Sequence, residues 1–189
     1  MKEKRADFID SVESIDPEKL IFLDESGANL GMSTNYARAE GGDRAHMPKP
    51  FDKGEKFSII GAIAITGIVA IMYIASAVNK AIFKTFSEKL LMPKLRRGQF
   101  VIFDNVNFHK SQEIIDLIET TGAKVVFLPP YSPDLSPIEK MWSKIKEILK
   151  RKKPRKKSEF HDAILAAVTS MNDNDFEEWY DACGYSLVA

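Results

Sequence analysis

The chain has 189 residues, its 27 Lys and Arg are balanced by 27 Asp and Glu to a formal net charge of zero, and 44% of its residues are hydrophobic. Twelve Phe, five Tyr and two Trp exclude a disordered chain. A single cysteine, Cys183, excludes a disulfide scaffold and points to a reducing, cytoplasmic compartment. At this length roughly 70% of the unfolded surface can be buried, enough for one substantial core.

Residues 1–10 (MKEKRADFID) are charged and hold no apolar run, so they are not read as a secretory signal, and 1–19 reads as an extension or linker. Residues 20–23 (LIFL) predict a short strand that stops at Asp24. The polar, Gly-containing stretch 28–56, with Arg38, Asp43, Arg44 and His46, is long enough for a functional loop or a small hairpin. Residues 57–78 run 22 positions without a charge, which by length alone satisfies the rule for a membrane span. The run is rich in Ile and Val, however, and Thr66-Gly67 interrupts it between Ile65 and Ile68. It therefore predicts a hairpin with strands over about 56–65 and 68–76, and no membrane partner.

A helix follows over 79–92, with Ile82, Phe83, Phe86, Leu90 and Leu91 on one face and Pro93 closing it. Residues 99–103 (QFVIF) predict a strand that stops at Asp104. Ile114, Ile115, Leu117 and Ile118 mark a helix that ends at Gly122, and 124–128 (KVVFL) predict another strand. Residues 129–137 (PPYSPDLSP) carry four prolines, so their backbone is stiff and extended or turning. A helix starts at Pro137, with Ile138, Met141, Trp142, Ile145, Ile148 and Leu149 at three-to-four spacing, and ends before Pro154. Two more helices, about 158–171 and 174–183, complete the chain; Phe176, Trp179, Tyr180 and Cys183 line one face of the second. A hairpin followed by βαβ units predicts an α/β fold, a mixed sheet covered by helices.

Two strands thus end in an aspartate. If they lie parallel and adjacent, Asp24 and Asp104 emerge at one C-terminal sheet edge, where open α/β sheets place their sites. Taken singly, either is accounted for by turn initiation. Glu139 fits a capping box, with Ser136 as N-cap and Pro137 at N1, and that alone is sufficient reason for it. The stiff proline segment also aims this helix start back toward the same edge. Three carboxylates there, with no His or Cys cluster, suit hard cations, Mg²⁺ or Mn²⁺, and two such ions suit phosphodiester displacement. Glu25 points to the opposite face from Asp24 and is left out of the set. His46 and His161 have no partners at ligand spacing, so zinc is not expected.

LIFLDESG, VIFDNVNFHK and FLPPYSPDLSPIEKMWSKIKEILK, in that order over most of residues 20–150, closely resemble the catalytic core of mariner-like DDE transposases, particularly their bacterial insertion-sequence relatives. The 34 residues between Asp104 and Glu139 match the spacing of the Glu-ending branch, and the proline segment with SPIE and Trp is the most specific element. The resemblance implies an RNase H-like fold with a mixed five-stranded sheet, a catalytic domain over 20–172 and an acidic helix and tail over 173–189. It assigns Asp24, Asp104 and Glu139 as catalytic residues and ligands of two Mg²⁺ or Mn²⁺ ions. It further implies cleavage at transposon ends and strand transfer into TA targets on double-stranded DNA, by a homodimer associated with a bacterial nucleoid. Asn105 and His109 match its DN…H wording; His109 contacts substrate or orients a carboxylate, or else caps the helix after it. Arg38 and Arg44 lie near DNA or a partner subunit in similar proteins, or else in a solvated loop. Relatives carry helix-turn-helix domains ahead of this core, and 1–19 are too few for one; a separately encoded N-terminal DNA-binding part is among the readings.

The neutral total conceals a strongly uneven distribution. From 140 to 157 there are ten basic residues (Lys140, Lys144, Lys146, Lys150, Arg151, Lys152, Lys153, Arg155, Lys156 and Lys157) against Glu147 alone, for +9, while 158–189 sum to −7. Beside a phosphodiester site such a run reads as a DNA-binding strip whose affinity falls steeply with salt. Elsewhere it would be a solvated face. The alternatives are another RNase H-like nuclease or resolvase, or a non-catalytic DNA-binding remnant.

Overall fold

The computed structural model describes residues 2–34, 40–41, 54–104 and 111–186. Five strands, β1 (Leu20–Asn29), β2 (Lys56–Ala64), β3 (Gly67–Ile74), β4 (Phe100–Phe103) and β5 (Lys124–Phe127), form one sheet in the order β3-β2-β1-β4-β5. β1, β2 and β3 are antiparallel neighbours, whereas β4 and β5 run parallel to β1. This is the expected mixed five-stranded sheet. The apolar run 57–78 is its hairpin, and no helix among the described residues is long and apolar enough to cross a membrane. The two-residue turn is Ile65-Thr66, one residue earlier than predicted, because Ala64 pairs with Gly67.

Leu20, Ile21, Phe22 and Leu23 are all buried, as a strand covered on both faces requires. Alternation sends Leu20 and Phe22 to one core, with Trp142, Phe160 and Tyr180, and Ile21 and Leu23 to the other, with Phe83, Phe86 and Ile114. The first core is covered by α4 (Ile138–Lys152), α5 (Lys157–Thr169) and α6 (Asp173–Asp181), the second by α2 (Lys80–Phe86) and α3 (Gln112–Glu119).

Three expectations are corrected. The first strand does not stop at Asp24; Glu25–Asn29 continue it because they still pair with Lys56–Ile60 of β2. The helix predicted over 79–92 ends its regular part at Phe86 and passes through a π turn, Ser87–Leu91, and a 3₁₀ turn, Met92–Lys94, that contains Pro93. The wider turn rotates Leu91 into the core and leaves Leu90 exposed. Finally, residues 2–13, read as extension, form α1 (Lys2–Glu13), which buries Phe8 and Val12 in the first core.

The C-terminal segment also knits into that core. The buried Tyr180 hydroxyl lies 2.9 Å from the Leu20 carbonyl and 3.1 Å from that of Ile63, and the Tyr185 hydroxyl donates to the Leu135 carbonyl at 2.8 Å.

Candidate active site

Parallel pairing of β1 with β4 runs from Leu20↔Phe100 to Leu23↔Phe103 and stops there. Asp24 is the next residue of β1 and Asp104 directly follows β4, so they leave the last pair of two strands about 4.8 Å apart. Phe22 and Ile102, two residues earlier, both face the α4 core; alternation carries Asp24 to that side, and Asp104 lines the same cavity. β5 is in register with β4 and leads straight into the proline segment. A cavity of about 400 Å³ opens at this edge, lined by Asp24, Asp104, Glu139, Leu128 and the segment from Pro129 to Pro133. Carboxylates from two strands and one helix are thus brought to one wall-bounded space.

Glu139 reaches the cavity for a reason other than the one its sequence context suggests. The capping box is not formed: no side-chain hydrogen bond caps the start of α4, and the Glu139 N–H bonds the Ser136 carbonyl at 3.2 Å. The Glu139 side chain is exposed at the first helical turn, where the helix dipole favours a negative charge.

Asp24 is held by a tryptophan and perturbed by burial. Its Oδ2 accepts a hydrogen bond from Trp142 Nε1 at 2.9 Å. Burial pushes its carboxyl up to about 7; bonds from the Glu25 backbone and Trp142 oppose the shift, and the Glu139 and Asp104 charges add to it. The sequence places Trp142 on the apolar face of α4 and in the family-like proline segment, without a link to Asp24. What places its indole is Gly61, the residue paired with Asp24 across β1 and β2. A Cβ there would lie 2.7 Å from Trp142 Cη2 and 3.1 Å from Met141 Cε. A glycine inside an apolar strand is a legible sign of close approach, and it is the signal that could have found this contact. Gly61→Ala is expected to displace the ring, destabilise the fold by about 1–3 kcal/mol and change Trp fluorescence. A melting temperature and emission spectrum equal to wild type would refute that placement.

A family profile described as DDE superfamily endonuclease matches residues 19–161. The chain belongs to this family. No curated protein matches it significantly. Among solved structures it is similar to the mariner Mos1 paired-end complex with Mg (14% identity, TM-score 0.77, covering 97% of this chain and 59% of that one). It is also similar to the Mos1 strand transfer complex (15%, 0.75, 99% and 60%) and the isolated catalytic domain of Mos1 mariner transposase (15%, 0.70, 97% and 90%). The chain therefore spans about six tenths of the Mos1 chains in the DNA complexes and nearly all of the isolated catalytic domain. At this identity the likeness speaks for the fold, which is RNase H-like.

In this DDE-family chain the side-chain donors at the cavity are all oxygen, three of them carboxylates, which suits a hard cation. The carboxylates do not close on a point: among the described residues no three acidic, His or Cys side chains stand close enough to hold one ion. The exposed Glu139 has the rotamer freedom to approach the strand ends. Asn105, His109, Arg38 and Arg44 lie outside the described residues.

The basic strip is more engaged than its sequence suggests. Lys144 Nζ sits 2.7 and 2.6 Å from the two Asp175 carboxylate oxygens on α6. Arg151 pairs with Glu147 one turn away, and Lys157 with Glu55. Arg155 Nη1 donates to the Leu30 and Met32 carbonyls beyond β1. Lys144 thereby turns toward the acidic C-terminal helix.

Proposed function

We propose that the chain is the catalytic domain of a transposase that cuts double-stranded DNA at transposon ends and joins the freed strands to a target, with TA as the typical target. The observation that carries this reading is the convergence of Asp24, Asp104 and Glu139 on one cavity in a DDE-family chain with an RNase H-like sheet. These three residues would hold two Mg²⁺ or Mn²⁺ ions. Bound there, such ions supply positive charge to the attacking and leaving oxygens of the phosphodiester.

The remaining residues bind and orient. Trp142 fixes the Oδ2 of Asp24, and the α4 N-terminus adds partial positive charge beside Glu139. Lys140, Lys144, Lys150, Arg151, Lys152, Lys153, Arg155, Lys156 and Lys157 would bind the DNA backbone, with Lys144, Arg151, Arg155 and Lys157 exchanging the partners named above for phosphates. Asn105 and His109, directly after Asp104, and Arg38 and Arg44 are assigned auxiliary and DNA-contacting roles on the family resemblance. The working unit is a homodimer on paired ends in a bacterial nucleoid.

Metal removal tests the reading. With Mn²⁺ or Mg²⁺ the protein is expected to convert supercoiled plasmid or a repeat-end duplex to nicked product, and EDTA is expected to stop it. Cutting that persists in EDTA, or no cutting of either substrate with Mn²⁺, would overturn it.

A further inference from the structure

Tyr131 does nothing for the fold that its ring could explain. The side chain is 90% exposed, far more than Leu165, Ile9 or Leu90, the other large apolar side chains on the described surface. Its φ of 57° lies in the left-handed region, which penalises any residue with a Cβ and which glycine occupies freely. A turn needed only for chain geometry would be better served by glycine. The strained, outward ring stands in the wall of the cavity shared by Asp24, Asp104 and Glu139.

The backbone that presents this ring is held on both sides. Pro129 and Pro130 precede it and Pro133 follows at the next residue but one. The Ser132 hydroxyl donates to the Pro130 carbonyl at 3.4 Å and accepts from Arg5 Nη1 at 2.8 Å. The same guanidinium forks onto Asp134, at 3.0 Å to Oδ1 and 2.6 Å to Oδ2, so α1 pins the segment from outside.

We infer that Tyr131 is a substrate-contacting residue whose ring stacks on a nucleobase next to the phosphodiester held at the three carboxylates. The inference rests on the proposed function and deepens it. A DNA strand with its phosphate at those carboxylates carries a base within one nucleotide, and an aromatic face on rigid backbone receives it with little ordering loss. Stacking of this kind favours an unpaired or frayed base and tolerates any sequence, since every base has a flat face. The ring is flanked by prolines, and among the described residues no other large exposed apolar side chain lines the cavity, which leaves too small a patch for a protein partner.

The test uses the whole chain with Tyr131→Gly, Tyr131→Phe and Tyr131→Trp. Fluorescence anisotropy with a forked duplex carrying 2-aminopurine in its unpaired arm is read in Ca²⁺, and plasmid nicking in Mn²⁺. Tyr131→Gly is expected to bind the fork about tenfold more weakly and leave 2-aminopurine unquenched, while Phe and Trp stay within about twofold of wild type. The Gly variant should melt at or above the wild-type temperature, which separates lost contact from lost fold. Wild-type affinity, quenching and nicking in the Gly variant would overturn the inference. So would a Phe variant as weak as Gly, or a change in oligomeric state at unchanged DNA affinity. A wild-type protein that neither binds nor nicks DNA would instead overturn the proposed function, and this inference with it.

Discussion

Alanine at Asp104 or at Glu139 is expected to slow metal-dependent plasmid nicking by about 10³-fold or more, because under the proposed function each would remove a charge that holds cations against the reacting phosphodiester, worth several kcal/mol in the transition state. The fold should barely register the Glu139 change. Its side chain is exposed and makes no capping bond, so Glu139→Ala should stay within about 0.5 kcal/mol of wild-type stability. Had the capping box formed, the same substitution would have frayed the start of α4 and blurred the result. Asp104 follows the last residue of β4 without entering the ladder, so its side chain can be shortened with β4 pairing intact. Asp104→Asn and Glu139→Gln keep size and polarity, and they should be as inactive as the alanines if charge is what matters. Equal nicking rates in wild type and both alanine variants would remove the catalytic assignment from this cavity.

The site was legible where one residue type sufficed to mark it. An aspartate straight after LIFL or VIF announces the end of a buried run, and parallel register then makes Asp24 and Asp104 neighbours. Four prolines in 129–137 announced a stiff segment, and it forms one wall of the cavity. What stayed illegible depends on partners distant in sequence. β1 outlasts β4 because β2 continues beside it, so Asp24 sits at a strand end belonging to its neighbour and not to its own strand. The Trp142 bond needs a glycine 81 positions earlier in the chain to admit the ring. α1 has weak amphipathic patterning, and only Phe8 and Val12 signal that it is packed.

Charge shows the same division between local and distant information. The +9 strip and the −7 tail are plain in composition. Their contact is not: Asn172 and Asp175 close a capping box at the start of α6, and the Asp175 carboxylate so held also receives Lys144. The lysine holds that carboxyl below its ordinary range. A DNA phosphate approaching Lys144 therefore competes with an ordered carboxylate.

Asp24→Asn is expected to stabilise the metal-free protein at pH 8 and to leave it almost unchanged at pH 4. The folded carboxyl titrates at about 7, against 3.8 for the unperturbed group. Between those values the native state holds a proton that the unfolded chain has released, so wild-type stability falls as pH rises through this window, by about 1.4 kcal/mol per pH unit. Across the whole window the loss is at most about 4 kcal/mol. Well below pH 3.8 both states are protonated and the difference vanishes, and at pH 4 it is already small. Asparagine has the shape of the protonated carboxyl and still offers Trp142 Nε1 an acceptor, so it escapes the loss without disturbing the packing against Gly61. Divalent metal should reverse the order. Ions that bind only the folded, ionised site raise the wild-type melting temperature by mass action and leave Asp24→Asn where it was. Thermal melts at pH 4 and pH 8, with EDTA and with Mn²⁺, read both effects without any assay of cutting. A variant that is more stable by the same amount at both pH values would show that burial does not perturb Asp24. Equal stabilisation of both proteins by Mn²⁺ would place the ions elsewhere.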